Sequence, residues 1–204
     1  LSSSSAASDV YKRQGPDGVN GGLLISTDGG TTFTESLPGI ALDPIAFNPT
    51  NGNDILIGTG ISFGATPEGL YRSSNGGTTW TLVPITWTDQ TLNSVNKIAF
   101  HPTAANNIIL LEENEIAKST DGGATWSNIV YPEYSTSYYY GLNASYNPSN
   151  PNQIAITTDL FPQMSNDGGT TLTQIQAPFY NIISVAHAKN LSLIHISEPT
   201  RRYA

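Results

Sequence analysis

Carboxylates set beside aromatic side chains are the residues of this chain best suited to chemistry. Asp89 follows Trp87 by two positions, Glu133 precedes Tyr134, Tyr138, Tyr139 and Tyr140 stand just beyond, and Glu112 and Asp159 each follow a short apolar run. Flat aromatic faces suit sugar rings. Retaining glycoside hydrolysis needs two carboxyls about 5–5.5 Å apart, and inverting hydrolysis needs about 6.5–9.5 Å. The competing reading is solvated loop carboxylates and tyrosines packed between structural layers. Sequence spacing gives no distances, so no residue is assigned a catalytic role. Asp89, Glu112, Glu133 and Asp159 stand as candidate acids, and Trp87, Tyr134, Tyr138, Tyr139 and Tyr140 as candidate ligand contacts.

The elements that must position them follow from a repeat. STDGGTTF starts at Ser26, SSNGGTTW at Ser73, STDGGATW at Ser119 and SNDGGTTL at Ser165, at intervals of 47, 46 and 46 residues. A fixed period in this range marks a repeat architecture. Each period holds four short β-branched or aromatic runs separated by Gly, Pro, Asn and Asp, which are strand and turn signals. In the second unit these are Pro44 to Phe47, Asp54 to Gly58, Gly69 to Ser73 and Thr79 to Val83. The third has Lys97 to Phe100, Asn107 to Leu111, Glu115 to Ser119 and Thr125 to Ile129, and the fourth has Asn143 to Tyr146, Gln153 to Thr157, Gln163 to Ser165 and Leu172 to Ile175. No segment carries a capped helical period, so the chain is predicted to be all-β.

A second phrase joins the first two strands of each unit: Phe47-Asn48-Pro49-Thr50, Phe100-His101-Pro102-Thr103 and Tyr146-Asn147-Pro148-Ser149. Proline cannot donate to a central ladder and belongs in the turn. His101 fills the slot of Asn48 and Asn147, so it is read as a turn residue rather than a metal ligand or base, and His187 likewise. In the Ser-x-Asp-Gly-Gly phrase the carboxylate can accept N–H groups of its own turn. Asp-Gly between two strand signals is a hairpin cue, because its central residues must tolerate positive φ. The closing Phe33, Trp80, Trp126 or Leu172 can plug the gap between neighbouring sheets. Asn75 replaces Asp in the second copy. That swap suits a hydrogen-bonding staple and not a charge-dependent site.

The two ends read differently. Asp9 to Gln14 can be encoded as GAT GTG TAT AAG AGA CAG, whose reverse complement encodes Leu-Ser-Leu-Ile-His-Ile, the peptide at Leu191 to Ile196. The string resembles a transposase end used to prepare sequencing libraries. Residues 1–14 and 191–204 are therefore expected to be adapter-derived, on a metagenomic fragment whose native part is 15–190. Eight Lys and Arg less Lys12, Arg13, Arg201 and Arg202 leave four, and sixteen acidic residues less Asp9 and Glu198 leave fourteen, a balance of 4 − 14 = −10. That acidity argues against nucleic acid and anionic membranes as partners. There is no cysteine, hence no thiol chemistry or disulfide framework. No apolar run reaches the length of a membrane span, and no metal or cofactor motif appears. Asp28-Gly29-Gly30 lacks the alternating oxygen ligands of a calcium loop, and Asn143-Ala144-Ser145 matches a glycosylation acceptor.

Ser-x-Asp-x-Gly-x-x-Trp resembles the Asp-box, or bacterial neuraminidase repeat, of sialidases, xyloglucanase-like glycoside hydrolases, sortilin-type receptors and a photosystem assembly factor. The spacing and the Phe-Asn-Pro-Thr phrase are more similar to the xyloglucanase and secreted-bacterial group. The resemblance implies a β-propeller of four-stranded antiparallel blades, with the box on the hairpin between the third and fourth strands, remote from the ligand face. Its box positions here are Ser26, Asp28, Gly30 and Phe33; Ser73, Asn75, Gly77 and Trp80; Ser119, Asp121, Gly123 and Trp126; and Ser165, Asp167, Gly169 and Leu172. Leu23 to Leu37 would close one blade, three whole blades would follow, and Phe179 to His187 would open another. That set does not close a ring of about four to eight blades, so the fragment is expected to expose sheet edges and to need the remaining blades of its own chain. Sialidase chemistry, which the resemblance ties to an arginine triad, is disfavoured because 15–190 holds only Arg72. The expectation is a non-catalytic segment of a larger secreted bacterial protein, extracellular or at the cell surface, binding polysaccharide or a cell-surface protein. The alternative is part of a xyloglucanase-like endo-glycosidase.

Overall fold

The computed structural model describes residues 10–13, 21–59, 69–87, 94–112, 115–130, 141–158, 161–176, 184–187 and 194–197. The strands fall into five antiparallel sheets in strict chain order. The first holds β1 (Val10–Arg13), β2 (Gly22–Ile25) and β3 (Thr34–Ser36). The second is β4 (Leu42–Asn48), β5 (Asn51–Thr59), β6 (Leu70–Ser73) and β7 (Thr81–Val83). The third is β8 (Lys97–Phe100), β9 (Ile108–Leu111), β10 (Glu115–Ser119) and β11 (Ser127–Val130). The fourth is β12 (Gly141–Asn147), β13 (Asn150–Thr158), β14 (Gln163–Ser165) and β15 (Thr173–Gln174), and the fifth pairs β16 (Ser184–His187) with β17 (Ile194–Ser197). No helix occurs among the described residues. Each predicted strand of the three whole units is present. The correction at this level is His187, which ends β16 paired with Ile194 and does not lie in a turn.

The sheets stack through their faces. In β9 successive side chains point opposite ways. Ile108 and Leu110 pack with Leu56, Leu70, Val95 and Ile98 toward the second sheet. Ile109 and Leu111 pack with Ile116, Ile154 and Ile156 toward the fourth. A run of four apolar residues is what a strand buried on both faces requires. Leu23, Leu42 and Ile57 make the equivalent core between the first and second sheets. The first strands of the later sheets lie side by side, β4 against β8, β8 against β12 and β12 against β16. Four-stranded meanders whose first strands line up in this way are the blades of a β-propeller, here part of one.

The Pro-containing turns join the first two strands of the whole blades. The Asn48 Oδ1 accepts the Thr50 N–H at 2.9 Å, and the Asn147 Oδ1 accepts the Ser149 N–H at 2.9 Å. His101 does the same with a ring nitrogen: Nδ1 accepts the N–H groups of Thr103 at 3.1 Å and Ala104 at 2.9 Å. The turn reading of His101 therefore stands on geometry.

Candidate functional site

The four Ser-x-Asp/Asn-Gly-Gly segments make one construction. In the third blade the Ser119 Oγ accepts the Gly123 N–H at 2.7 Å and donates to the Asp121 Oδ1 at 2.8 Å. Asp121 Oδ1 accepts the N–H groups of Ala124 and Thr125 at 3.0 and 2.9 Å, and its Oδ2 accepts the Thr125 hydroxyl at 2.5 Å. The turns at Ser26 and Ser165 repeat the pattern through Asp28 with Thr31 and Thr32, and Asp167 with Thr170 and Thr171. Asn75 holds the second turn by reversing one bond. Its Oδ1 accepts the Thr79 N–H at 2.9 Å, and its Nδ2 donates to the Thr79 Oγ1 at 2.8 Å.

These bonds favour the ionised carboxylate. The Thr32 hydroxyl, then the Thr32 N–H and the Ser26 hydroxyl, hold the Asp28 carboxyl down at about 2. The corresponding donors, led by the Thr125 and Thr171 hydroxyls, hold Asp121 and Asp167 well below the usual carboxylate range. The left-handed residues are the paired glycines, with φ of 69° and 89° at Gly76 and Gly77, and not the Asp of the predicted hairpin cue. A Cβ on Gly77 would also stand 2.7 Å from the Ile25 Cδ1. Gly77→Ala is therefore expected to lower stability by about 1–2 kcal/mol, the cost of a left-handed L-residue. Urea unfolding checks this against Gly52→Ala, whose Cβ meets nothing within 4 Å; equal midpoints for the two variants would contradict it.

The closing side chains plug the seams as expected for Trp80, Trp126 and Leu172, each packed on the core shared with the preceding sheet. Phe33 departs from this and is 46% exposed. One cross-blade tie was not foreseen. The Arg72 guanidinium donates from Nε and Nη2 to the Asp54 carboxylate at 2.7 and 2.9 Å, and from Nη1 to the Gly122 carbonyl in the next blade's turn at 2.6 Å. Lys118, at the same place one repeat on, reaches the Thr170 hydroxyl of the following turn at 3.4 Å. The available signal was a cation directly before the serine in two consecutive repeats.

At the other end of the blades the described residues are few. Glu112 follows β9 and donates its N–H to the Glu115 carbonyl at 3.0 Å, opposite the end where β10 enters its turn. It is only 1% exposed, in the position of the buried Thr59 and Thr158 of the adjacent blades. Trp87, expected as a displayed aromatic, is instead 3% exposed and packed against Leu56, Leu70 and Val95. Its faces are covered by core side chains, so it offers no stacking platform. Asp89, Glu133, Asp159, Tyr134, Tyr138, Tyr139 and Tyr140 lie outside the described residues. Among the described residues no three His, Asp or Glu side chains converge as a metal site would require. Among the described residues no helix is long and apolar enough to cross a membrane.

Solved structures similar to the chain are of the same architecture. An ancestral GH74 enzyme superposes with a TM-score of 0.67 at 21% identity, over 85% of this chain and 26% of that one. The Cps50 (Swd1) β-propeller domain of Myceliophteria thermophila gives 0.62 at 9% identity, over 93% and 62%. YCF48 bound to D1 peptide gives 0.54 at 14%, over 95% and 67%. The chain thus spans about a quarter of the length of the GH74 enzyme. No curated protein matches it. Sheet order, stacking and these likenesses together define a β-propeller protein. Residues 21–159 match the Sortilin-Vps10 family model, described as sortilin, neurotensin receptor 3, and the chain belongs to that family.

Proposed function

We propose that this chain is a non-catalytic repeat segment of a larger, secreted bacterial β-propeller, which binds or displays a polysaccharide or a cell-surface protein at the blade ends opposite the Ser-x-Asp-Gly-Gly turns. On this reading the turns are Asp-boxes, 15–190 is the native part, and 1–14 and 191–204 are adapter-derived peptides that the sheets accept as β1 and β17. The observation that carries the reading is the burial of Glu112. The one candidate acid among the described residues is 1% exposed, at a position that threonines fill in the blades on either side. It behaves as a packing position of the repeat. The box carboxylates, for their part, are occupied by their own turns.

The second reading is a segment of a xyloglucanase-like endo-glycosidase, with Asp89, Glu112, Glu133 or Asp159 among its acids or the acids elsewhere in a longer protein. It draws on the placement of Glu112 and Glu115 opposite one another at the blade end, joined through the backbone. Affinity gel electrophoresis in xyloglucan, run beside a reducing-end assay on the same protein, separates the two. Retarded migration with no new reducing ends is the expected result. Release of reducing ends that Asp89→Asn or Glu133→Gln abolishes would establish the enzyme instead. Neither retardation nor release would turn the binding role toward a protein partner.

A further inference from the structure

An asparagine followed by glycine is a reactive pair. The side-chain amide carbon is open to attack by the next main-chain nitrogen, and glycine, with no Cβ, leaves that nitrogen uncovered. The chain holds three such pairs, Asn20-Gly21, Asn51-Gly52 and Asn75-Gly76. Asn20 lies outside the described residues, and the structure separates the other two.

Asn75 is tied down at both ends of its amide. Its Oδ1 accepts the Ser73 hydroxyl and the Thr79 N–H, each at 2.9 Å, and its Nδ2 donates to the Thr79 Oγ1 at 2.8 Å. The amide carbon cannot turn to the Gly76 nitrogen without breaking those bonds. That nitrogen is engaged as well, donating its N–H to the Asn53 carbonyl at 2.9 Å.

Asn51 and Gly52 are both exposed. Asn51 pairs with Asn48, and the ladder to β4 resumes only where Phe47 meets Ile55. Pairing with β6 also starts at Ile55, opposite Ser73. Gly52 thus falls outside both registers, and a Cβ on it would meet nothing within 4 Å. The Asn51 Oδ1 accepts the Asn53 N–H at 3.2 Å. The ring which that bond closes contains the Gly52 nitrogen, so the amide carbon is already folded toward it. The fourth blade repeats this turn with the attacking group removed. Asn147 pairs with Asn150, the ladder resumes at Tyr146 with Ile154, and the Asn150 Oδ1 accepts the Asn152 N–H at the same 3.2 Å. The residue between them is Pro151, whose nitrogen has no proton to give up.

We propose that Asn51 is a site of spontaneous deamidation. The Gly52 nitrogen gives its proton to solvent and bonds to the Asn51 Cγ. The Cγ–Nδ2 bond breaks, and Nδ2 leaves as ammonia with a proton taken from solvent. Water then opens the resulting cyclic imide, at Cγ to give aspartate or at the main-chain carbonyl to give isoaspartate. Nothing is oxidised or reduced; water enters and ammonia leaves. The turn gains a negative charge, and the isoaspartate form also carries its main chain through Cβ, one atom longer. The site does not depend on the proposed binding role.

The test is incubation of the 204-residue chain at pH 8, with fragment-ion mass spectrometry reading the one-dalton gain at each asparagine. Asn51 is expected to convert at least about tenfold faster than Asn75, whose hydrogen bonds must open first. In concentrated urea, which removes those bonds, Asn75 should rise to the rate of Asn51. Asn150 should stay unchanged in both conditions. Gly52→Ala, which the open space around it admits, is expected to slow Asn51 about tenfold by crowding the attacking nitrogen. Equal rates at Asn51 and Asn75 in the folded chain would overturn the proposal. So would an Asn51 that gains no mass, or a Gly52→Ala variant that converts as fast as the parent.

Discussion

Replacing Arg72 with methionine is expected to destabilise the chain by about 2–3 kcal/mol, and adding Asp54→Asn to recover most of that loss. Asp54 is 5% exposed and receives two bonds from the guanidinium and one from the Asn48 amide. Removing one partner of a buried pair leaves an uncompensated charge and costs about 3–5 kcal/mol; here the arginine is a third exposed, which places the effect at or below the low end. Its third bond, to the Gly122 carbonyl, pins one blade to the next and is lost as well. The fourth blade supplies the neutral version of the same site, with Asn147, Gln153 and Met164 at the three positions. Urea unfolding followed by tryptophan fluorescence gives the three stabilities. A single variant within half a kcal/mol of the parent, or a double variant no better than the single one, would contradict this account of the tie.

Acid is expected to remove stability in one particular window. Asp28 is held at about 2 by its turn, and Asp121 and Asp167 lie lower still. A carboxyl whose folded pKa is depressed stabilises the fold above its unfolded value of about 4. That contribution is lost as the pH falls through the folded value. Stability should therefore hold at neutral pH, begin to fall below about pH 4 and keep falling to about pH 2 and beyond. Asn75 does not titrate, so the second turn adds nothing to the slope. Changing Asp28, Asp121 and Asp167 together to Asn, the residue the second turn already uses, should flatten it. Urea midpoints at pH 5 and pH 2.5 measure the difference; parallel decline of parent and triple variant would show that the turns are not its source.

The fold was legible because the repeat states it several times over. Period, strand signals and turn glycines agreed in each unit, and β10 and β14 match the predicted Glu115 to Ser119 and Gln163 to Ser165 residue for residue. The turn chemistry was legible for the same reason, since a Ser, an acceptor two residues on and two glycines allow few other bonding patterns. What the sequence hid was direction. Nothing in the order of residues says that Trp87 turns inward to Leu56 and Val95, or that Arg72 reaches across to the next blade. Both depend on how neighbouring sheets approach, and Arg72 and Gly122 stand fifty positions apart in the sequence. His101 was half legible. Its slot marked it as a turn residue, while its buried Nε2, which meets no acceptor of the protein, follows only from Asn107 not doing what Asp54 and Gln153 do.

The most direct test of the chain as one segment of a larger propeller is a long read of unfragmented source DNA across the encoding locus. The expected result is a reading frame that leaves residues 1–14 and 191–204 behind and continues on both sides into further Ser-x-Asp-x-Gly-x-x-Trp phrases at 46- or 47-residue spacing. A locus that encodes both terminal peptides in place, with no further copies of the phrase, would contradict it.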